Sequence, residues 1–458
     1  MKMQRNRRAL ARLITACMLL AGCAAYAQSG DGSGDDQANP PQQPIRTNAN
    51  SYAVSLGTGE LISMSGDNPA IETEFAPGTL ARTKGADFKN LFFYGFSGSS
   101  VYTNNFAGVG ATRDLISTSL SPYLAVLVPT RTGSYVAQYT SVVNPNDTST
   151  GDPQAYHTVT LKAEGAFTRR LSWALSGSGS YGSESARLQA PLSYVVVQTT
   201  PVGDASSAAV LLRTTNVAFS ENRAHLGYLL SSRDSMGVTL IHTYTGIAGD
   251  PSSPQATGTH ANSAGVKMDY ARTISSRFTM LAFGQAYTML NGLTCNSFGG
   301  GLGMSVKVSH SVAFDVQGGP ERNSNSCGGQ QNANFTANLV ADVRGRTKLY
   351  ASANRAFRAA YRVDGVWEDN ASAGFSRIFG RVNLSADAGY LRGQTLLSST
   401  QEYRGYYVSP RLRVKVTDAL GFSAGYRTFR GTGGNLVSGN VSFAVASVDW
   451  YPSAIHFK

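Results

Sequence analysis

Beyond residue 89 the chain alternates apolar and polar positions with a period of two, the spacing that sends successive side chains to opposite faces of a pleated strand. The pattern is clearest over residues 404–429. Tyr406, Val408, Leu412, Val414 and Val416 share one face, while Tyr407, Ser409, Arg411, Arg413 and Lys415 share the other. After Thr417 and Asp418, Leu420, Phe422, Ala424 and Tyr426 alternate with Gly421, Ser423, Gly425 and Arg427. The alternation predicts earlier strands over 91–102, 115–126 and 134–143. Tight hairpins are then expected at 168–170, 232–234, 275–276, His310, 345–346 and Gly380, with 437–450 closing the series.

Between the tight turns lie longer polar stretches, at 144–155, 184–216, 248–259, 291–297, 320–330, 359–366 and 393–402. Residues 192–197 and 209–212 are read as an extra hairpin within one of them. A regular exchange of short turns and long loops is the signature of an up-and-down barrel that crosses a membrane. Hydrocarbon offers no partner to a backbone N–H or C=O, so a spanning sheet has to close on itself. The expectation is an all-β, transmembrane antiparallel barrel of about 16–18 strands. Leu, Val, Phe and Ala would face lipid, and Ser, Thr, Asn, Gly and charged residues would face a wet lumen. Phe167, Trp173, Tyr181, Tyr244, Tyr390, Tyr426 and Trp450 fall near strand ends, as interfacial aromatic girdles require.

Composition agrees with many half-buried strands. Of 458 residues, only 15% are charged, whereas Gly (49) and Tyr (22) are abundant. Lys2, Arg5, Arg7, Arg8 and Arg12 precede an apolar run from Leu13 to Gly22, which reads as an export signal over 1–27. Two processing outcomes compete there. Ala25-Tyr26-Ala27 fits ordinary cleavage before Gln28, and Leu20-Ala21-Gly22-Cys23 fits a lipobox with Cys23 lipidated. Residues 28–87 are polar, rich in Pro, Gln, Gly and Asp, and read as a flexible periplasmic linker that could recruit a partner. The barrel is assigned to 88–458. Cys295 and Cys327 are the cysteines left outside the leader, and the expected topology puts both in consecutive outward loops, which makes them a disulfide candidate.

Here the chain resembles the Gram-negative outer-membrane β-barrel superfamily, porins in particular, over residues 88–458 and by architecture alone. That resemblance implies an outer-membrane location, contact with its lipid and a homo-oligomer by analogy. Such barrels end in an aromatic residue. Phe457 precedes a final Lys458, so Trp450-Tyr451 is an alternative strand end.

Charge bears on function. Of the formal net charge of +11, the leader contributes about +5 and the linker about −5, which leaves about +11 for the barrel. Lys162, Glu164, Lys267, Asp269, Lys307, Asp315, Asp342, Arg344, Asp387, Arg411, Arg413, Lys415 and Arg427 fall on the expected inward row. The run Arg411, Arg413, Lys415 would concentrate anions and oppose cations. Enzyme chemistry is not indicated. Gly421-Phe422-Ser423-Ala424-Gly425 matches G-x-S-x-G but lies inside an alternating strand, where the strand-to-helix elbow of that motif has no place. The six histidines lack metal-ligand spacing, Gly299-Gly300-Gly301 opens a strand and reads as a bulge or bend rather than a phosphate loop, and dispersed basic residues give no nucleic-acid surface. The expected function is passive diffusion of small hydrophilic solutes or anions, without a cofactor. The alternatives are a secretion barrel, for instance for exopolysaccharide, and a surface adhesin.

Overall fold

A computed structural model describes residues 90–104, 115–130, 133–145, 154–183, 216–248, 260–289, 295–309, 311–325, 329–343, 347–360, 363–395, 402–417, 419–432, 439–450, 452 and 455–457. The leader, the linker, Arg344, Cys327 and the hairpin expected at 192–212 lie outside them. The strands, in order, are β1 (Asn90–Asn104), β2 (Leu115–Pro129), β3 (Gly133–Asn144), β4 (Gln154–Ala166), β5 (Leu171–Ser183), β6 (Asn216–Leu229), β7 (Asp234–Ala248), β8 (His260–Ser275), β9 (Phe278–Met289), β10 (Cys295–Lys307), β11 (Val312–Asn323), β12 (Gln331–Val343), β13 (Thr347–Ala360), β14 (Val363–Phe379), β15 (Val382–Thr395), β16 (Glu402–Lys415), β17 (Leu420–Thr432), β18 (Gly439–Trp450) and β19 (Ile455–Phe457).

Each strand pairs antiparallel with its sequence neighbours, and β1 pairs with β2 on one side and with β18 on the other, so the sheet closes. β19 is no additional stave. It lies alongside Asn90, Leu91 and Phe92, continuing the edge on which β18 meets Phe96 to Asn104. The result is a closed 18-strand antiparallel barrel, at the top of the expected range. Both strand-end readings hold in part: β18 stops at Trp450, and Phe457 then completes the closing edge opposite Asn90.

Several strands run past the ends read from sequence. The stretch 359–366 is not a long loop: β13 extends to Ala360, β14 starts at Val363, and the two are paired there across a bulge. Residues 320–323 likewise belong to β11, with Pro320 opposite Ala333 and Glu321 opposite Asn332. The physical reason is that the ladder is made by backbone groups, which pair whatever the side chains, so it outlasts the apolar–polar alternation.

The two faces invert the arrangement of a water-soluble protein. Leu302 is 66% exposed and Leu240 56%, in a row shared with Leu175, Leu226, Met268, Met280, Leu412 and Phe422. The opposite row is buried and mostly polar, including Ser97, Ser119, Thr158, Lys267, Ser297, Glu321, Asn334, Asn370, Ser409 and Asp449. A continuous outward apolar surface of this kind has no counterpart in soluble monomers, whose apolar patches are small. One apolar cluster does sit on the inner face, formed by Phe93, Tyr123, Ala125 and Leu127.

Outward aromatics collect at two levels. Phe167, Tyr228, Tyr270, Phe379 and Phe422 lie toward the tight-turn ends, and Tyr102, Tyr181, Phe298, Phe335, Tyr390 and Tyr406 toward the opposite ends, while Tyr426, expected near a strand end, is midway along β17. Tyr390 and Tyr406 face each other in register across β15 and β16. Tyr94 meets Trp450 edge-on at 5.6 Å on the turn-side ring. On β5, Trp173 and Tyr181 are eight positions apart, roughly 26 Å along the strand at about 3.3 Å per residue. With a tilt of about 40° that is roughly 20 Å along the barrel axis, close to the apolar band of a membrane barrel.

Candidate functional site

Among the described residues the inner wall carries charge along many strands, and two groups stand out on it. The first is built by β15, β16, β17, β18 and β1. β16 alternates so that Ser409, Arg411 and Arg413 point inward while Val408 and Leu412 point outward. Register then supplies partners. Ser385 lies opposite Arg411 and Ser409 opposite Asp387, so the longer Arg411 reaches back to its neighbour's row, and its Nη2 donates to Asp387 Oδ1 at 3.0 Å. Arg411 Nε also lies 3.4 Å from Ser409 Oγ.

Arg413 Nε stands 3.9 Å from Asp449 Oδ2. Asp449 is wholly buried, accepting from Ser97 Oγ at 2.7 Å and lying within 3.4 Å of the hydroxyls of Ser423 and Ser447. This network straddles the β1–β18 pair that closes the barrel. Each arginine thus overlies a carboxylate and a serine, and the local charge along Arg411 and Arg413 is balanced by Asp387 and Asp449. Lys415, the last residue of β16, is exposed at the turn-side rim.

The second group spans β6 to β13. Glu221 pairs with Arg223 on β6, His225 Nδ1 lies 2.9 Å from Thr239 Oγ1, and Asp269 sits beside Gly237 on the next strand. Lys267, only 2% exposed, stacks its ammonium 4.8 Å from the Phe283 ring centroid and reaches Gln317 Oε1 at 3.4 Å. Glu321 is 1% exposed. It accepts from Ser297, from Asn334 Nδ2 at 2.7 Å and from Gln285 Nε2 at 3.2 Å. A buried carboxylate needs such a set of donors to offset its lost hydration.

The bends on which this group depends lie at glycines. Gly299-Gly300-Gly301 falls within β10, and a Cβ at Gly301 would collide with the backbone of Gly318 and Gly319 on β11. The β10 and β11 backbones thus approach closely at the triplet on their inner face. With Gly299, Gly301 and Gly303 placing no side chains on the inner row of β10, groups on β8 and β9 reach over it to β11.

The remaining expected residues are more dispersed. Lys162 and Glu164 are half-buried neighbours on the inner row of β4, with Ser134 Oγ 3.4 Å from Glu164 Oε1. Lys307 is exposed at the end of β10, and Asp342 is half-buried on β12 opposite Lys348. Among the expected residues the structure joins Arg411 to Asp387 directly. Asp315 lies on β11 opposite Ser305, and Arg427 on β17 opposite Phe443. Cys295 is disulfide-bonded and buried at the start of β10. The backbone N–H of Asn296 donates to Ser324 Oγ at 3.1 Å, and that of Ser324 to the Asn296 carbonyl at 2.8 Å, so β10 and the segment leading to Cys327 are held together.

Sequence reasoning missed Asp449, Glu221, Arg223 and Glu321. Asp449 shares the parity of Ser447 and Val445, which would have placed it. Glu321 fell in a stretch read as loop, and Glu221 and Arg223 in the polar beginning of β6. Among the described residues no group of three or more His, Cys, Asp or Glu gathers as metal ligands do. Ser423 hydrogen-bonds Ser447 and Asp449 inside β17, on extended backbone.

No protein-family model matches the chain, and no curated protein matches it. Solved structures do. The siderophore receptor PirA from Acinetobacter baumannii aligns at 8% identity over 81% of this chain and 81% of that one, with a TM-score of 0.40. OccAB4 of Acinetobacter baumannii aligns at 10% identity over 80% of this chain and 99% of that one, with a TM-score of 0.42. A loop-deletion mutant of OmpT, an outer membrane protein of Vibrio cholerae, aligns at 12% identity over 80% and 100%, with a TM-score of 0.37.

Proposed function

We propose that the chain is an outer-membrane barrel that works as a porin-like channel, passing small hydrophilic solutes by diffusion and favouring anions. The single observation that carries this reading is the inversion of faces in a closed sheet: apolar side chains outward, polar and charged side chains inward. Closure satisfies every backbone group that hydrocarbon would strand. The two aromatic levels, roughly 20 Å apart along the axis, match an apolar band with interfacial rims. Eighteen strands give an interior wide enough for an aqueous path.

The anion preference rests on Arg411, Arg413 and Lys415. Asp387 and Asp449 temper the two arginines, so the preference is modest; the guanidinium edges presented over the carboxylates carry it along the wall, and Lys415 adds to it at the turn-side rim. Changing all three to Glu turns +3 into −3 along one wall, so the zero-current potential measured across a tenfold salt gradient should move toward the cation side. An unchanged potential in a conducting triple variant would remove the anion site from the account. The residues at 28–87 and an oligomer remain the places where partners would join, the first through a polar tether and the second through the outward surface.

A further inference from the structure

In a round barrel of eighteen strands about 4.8 Å apart, strands five positions apart would stand roughly 20–25 Å from one another across the interior. β8 and β13 are five positions apart, yet their Cα atoms come within 8 Å of each other. The intervening wall, β9 to β12, must therefore curl inward on itself. The glycine faces on β10 and β11 supply the place where it bends, since a Cβ at Gly301 or Gly319 would meet the opposing backbone.

The space inside this curl is filled by polar side chains. Lys267 crosses from β8 to Gln317 on β11, and Gln285 crosses from β9 to Glu321, each passing over the glycine row of β10. Thr336, Asn338 and Asn354 complete the filling from β12 and β13, and all are buried. Arg223 adds its charge from β6, close enough to act electrostatically on Lys267.

The inner face near β1 to β3 is buried as well, Ser97, Ser117, Ser121 and Thr140 among it, but two other stretches of wall stay open. On β4 and β5, Lys162, Glu164, Ser176 and Ser178 keep solvent contact. On β16, Arg411 and Arg413 do so as well, with side chains 15% and 18% exposed. Ser409 and Asp449 are buried there, but beneath those arginines rather than behind a second wall.

We propose that the interior is divided by side chains into a sealed polar lobe, enclosed by β8 to β13, and a solute path bounded by the walls of β4–β5 and β16–β17. The lobe is a structural filling that carries no flow. The groups a passing solute meets are Lys162, Glu164, Arg411 and Arg413, which makes these four the determinants of specificity and removes Lys267, Asp269 and Glu321 from that role despite their charge. This inference rests on the channel reading.

Single cysteines at Gln317 and Asn338, inside the lobe, and at Lys162 and Arg411, on the open walls, test it. The full-length protein, folded in lipid, is exposed to a cationic methanethiosulfonate, and the added mass is counted against the unsubstituted protein. Access governs the rate of such exchange, so labelling should be at least roughly tenfold faster at Lys162→Cys and Arg411→Cys than at Gln317→Cys and Asn338→Cys. Conductance should change on labelling at the first pair only. Equal labelling at all four positions, or an equal conductance change from the lobe positions, would overturn the division. Two positions on each side keep the test decisive if one variant does not fold. If the unsubstituted protein conducts no ions while the labelling contrast persists, the channel reading fails and the division of the interior stands.

Discussion

At the scale of single residues, glycine placement decides how sharply the wall can turn. Gly301 has no room for a Cβ because β11 backbone occupies that space, whereas a Cβ at Gly179 on β5 would meet nothing within 4 Å. Gly301→Ala should therefore destabilise the folded barrel by about 1–3 kcal/mol, the usual cost of forcing atoms into filled space. Gly179→Ala should stay within about 0.5 kcal/mol of the parent. Denaturant unfolding in lipid measures both, and equal stability of the two variants would remove the bend from the account. The sequence shows the triplet Gly299-Gly300-Gly301 and supports its reading as a bulge or bend. It does not show Gly318 and Gly319 opposite, because that pairing depends on register between strands. The same limit applies to Asp449. Its inward parity is readable, but its place beneath Arg413 and beside Ser97, 352 positions away, follows only from closure.

At the scale of the strands, the outward row carries the membrane reading. Leu240 lies midway along β7 and is 56% exposed. Leu240→Arg should cost about 2–4 kcal/mol in a bilayer, the penalty for a charge at the midplane of a barrel's lipid face. A soluble barrel would tolerate the change or become more soluble, so unaltered stability in lipid would count against the assignment. Strand existence and face were legible from period-two alternation, as on β16, where Val408 and Leu412 turn outward and Ser409 and Arg411 inward. Strand ends were not. β14 begins at Val363 and β11 continues to Asn323 because backbone pairing persists where the apolar–polar alternation of the side chains has already lapsed. The disulfide belongs to this scale too. Cys295 lies at the head of β10 rather than in the long loop expected over 291–297, and it is already bonded there; Cys327 is the expected partner, which would tie that strand to the loop after β11. Intact mass should rise by two hydrogens on reduction, and two alkylatable thiols in the unreduced mature protein would contradict the pairing.

For the whole molecule, eighteen strands enclose an interior in which two groups of charge differ in their access to solvent. Near the β1–β18 closure, Arg411 and Arg413 stand over Asp387 and Asp449 and remain in reach of solvent. Around β8 to β13, Lys267, Gln317 and Glu321 are locked into hydrogen bonds and withdrawn from it. Sequence parity put residues of both groups on the inward row and had no means of separating them, since separation depends on how the wall curves. The central claim is that the closed barrel holds an aqueous path through a membrane. Insertion of the purified, folded protein into a planar lipid bilayer tests it most directly. Discrete, ohmic conductance steps with a modest preference for anions are the predicted result. A protein that is folded and inserted yet gives no conductance would contradict it.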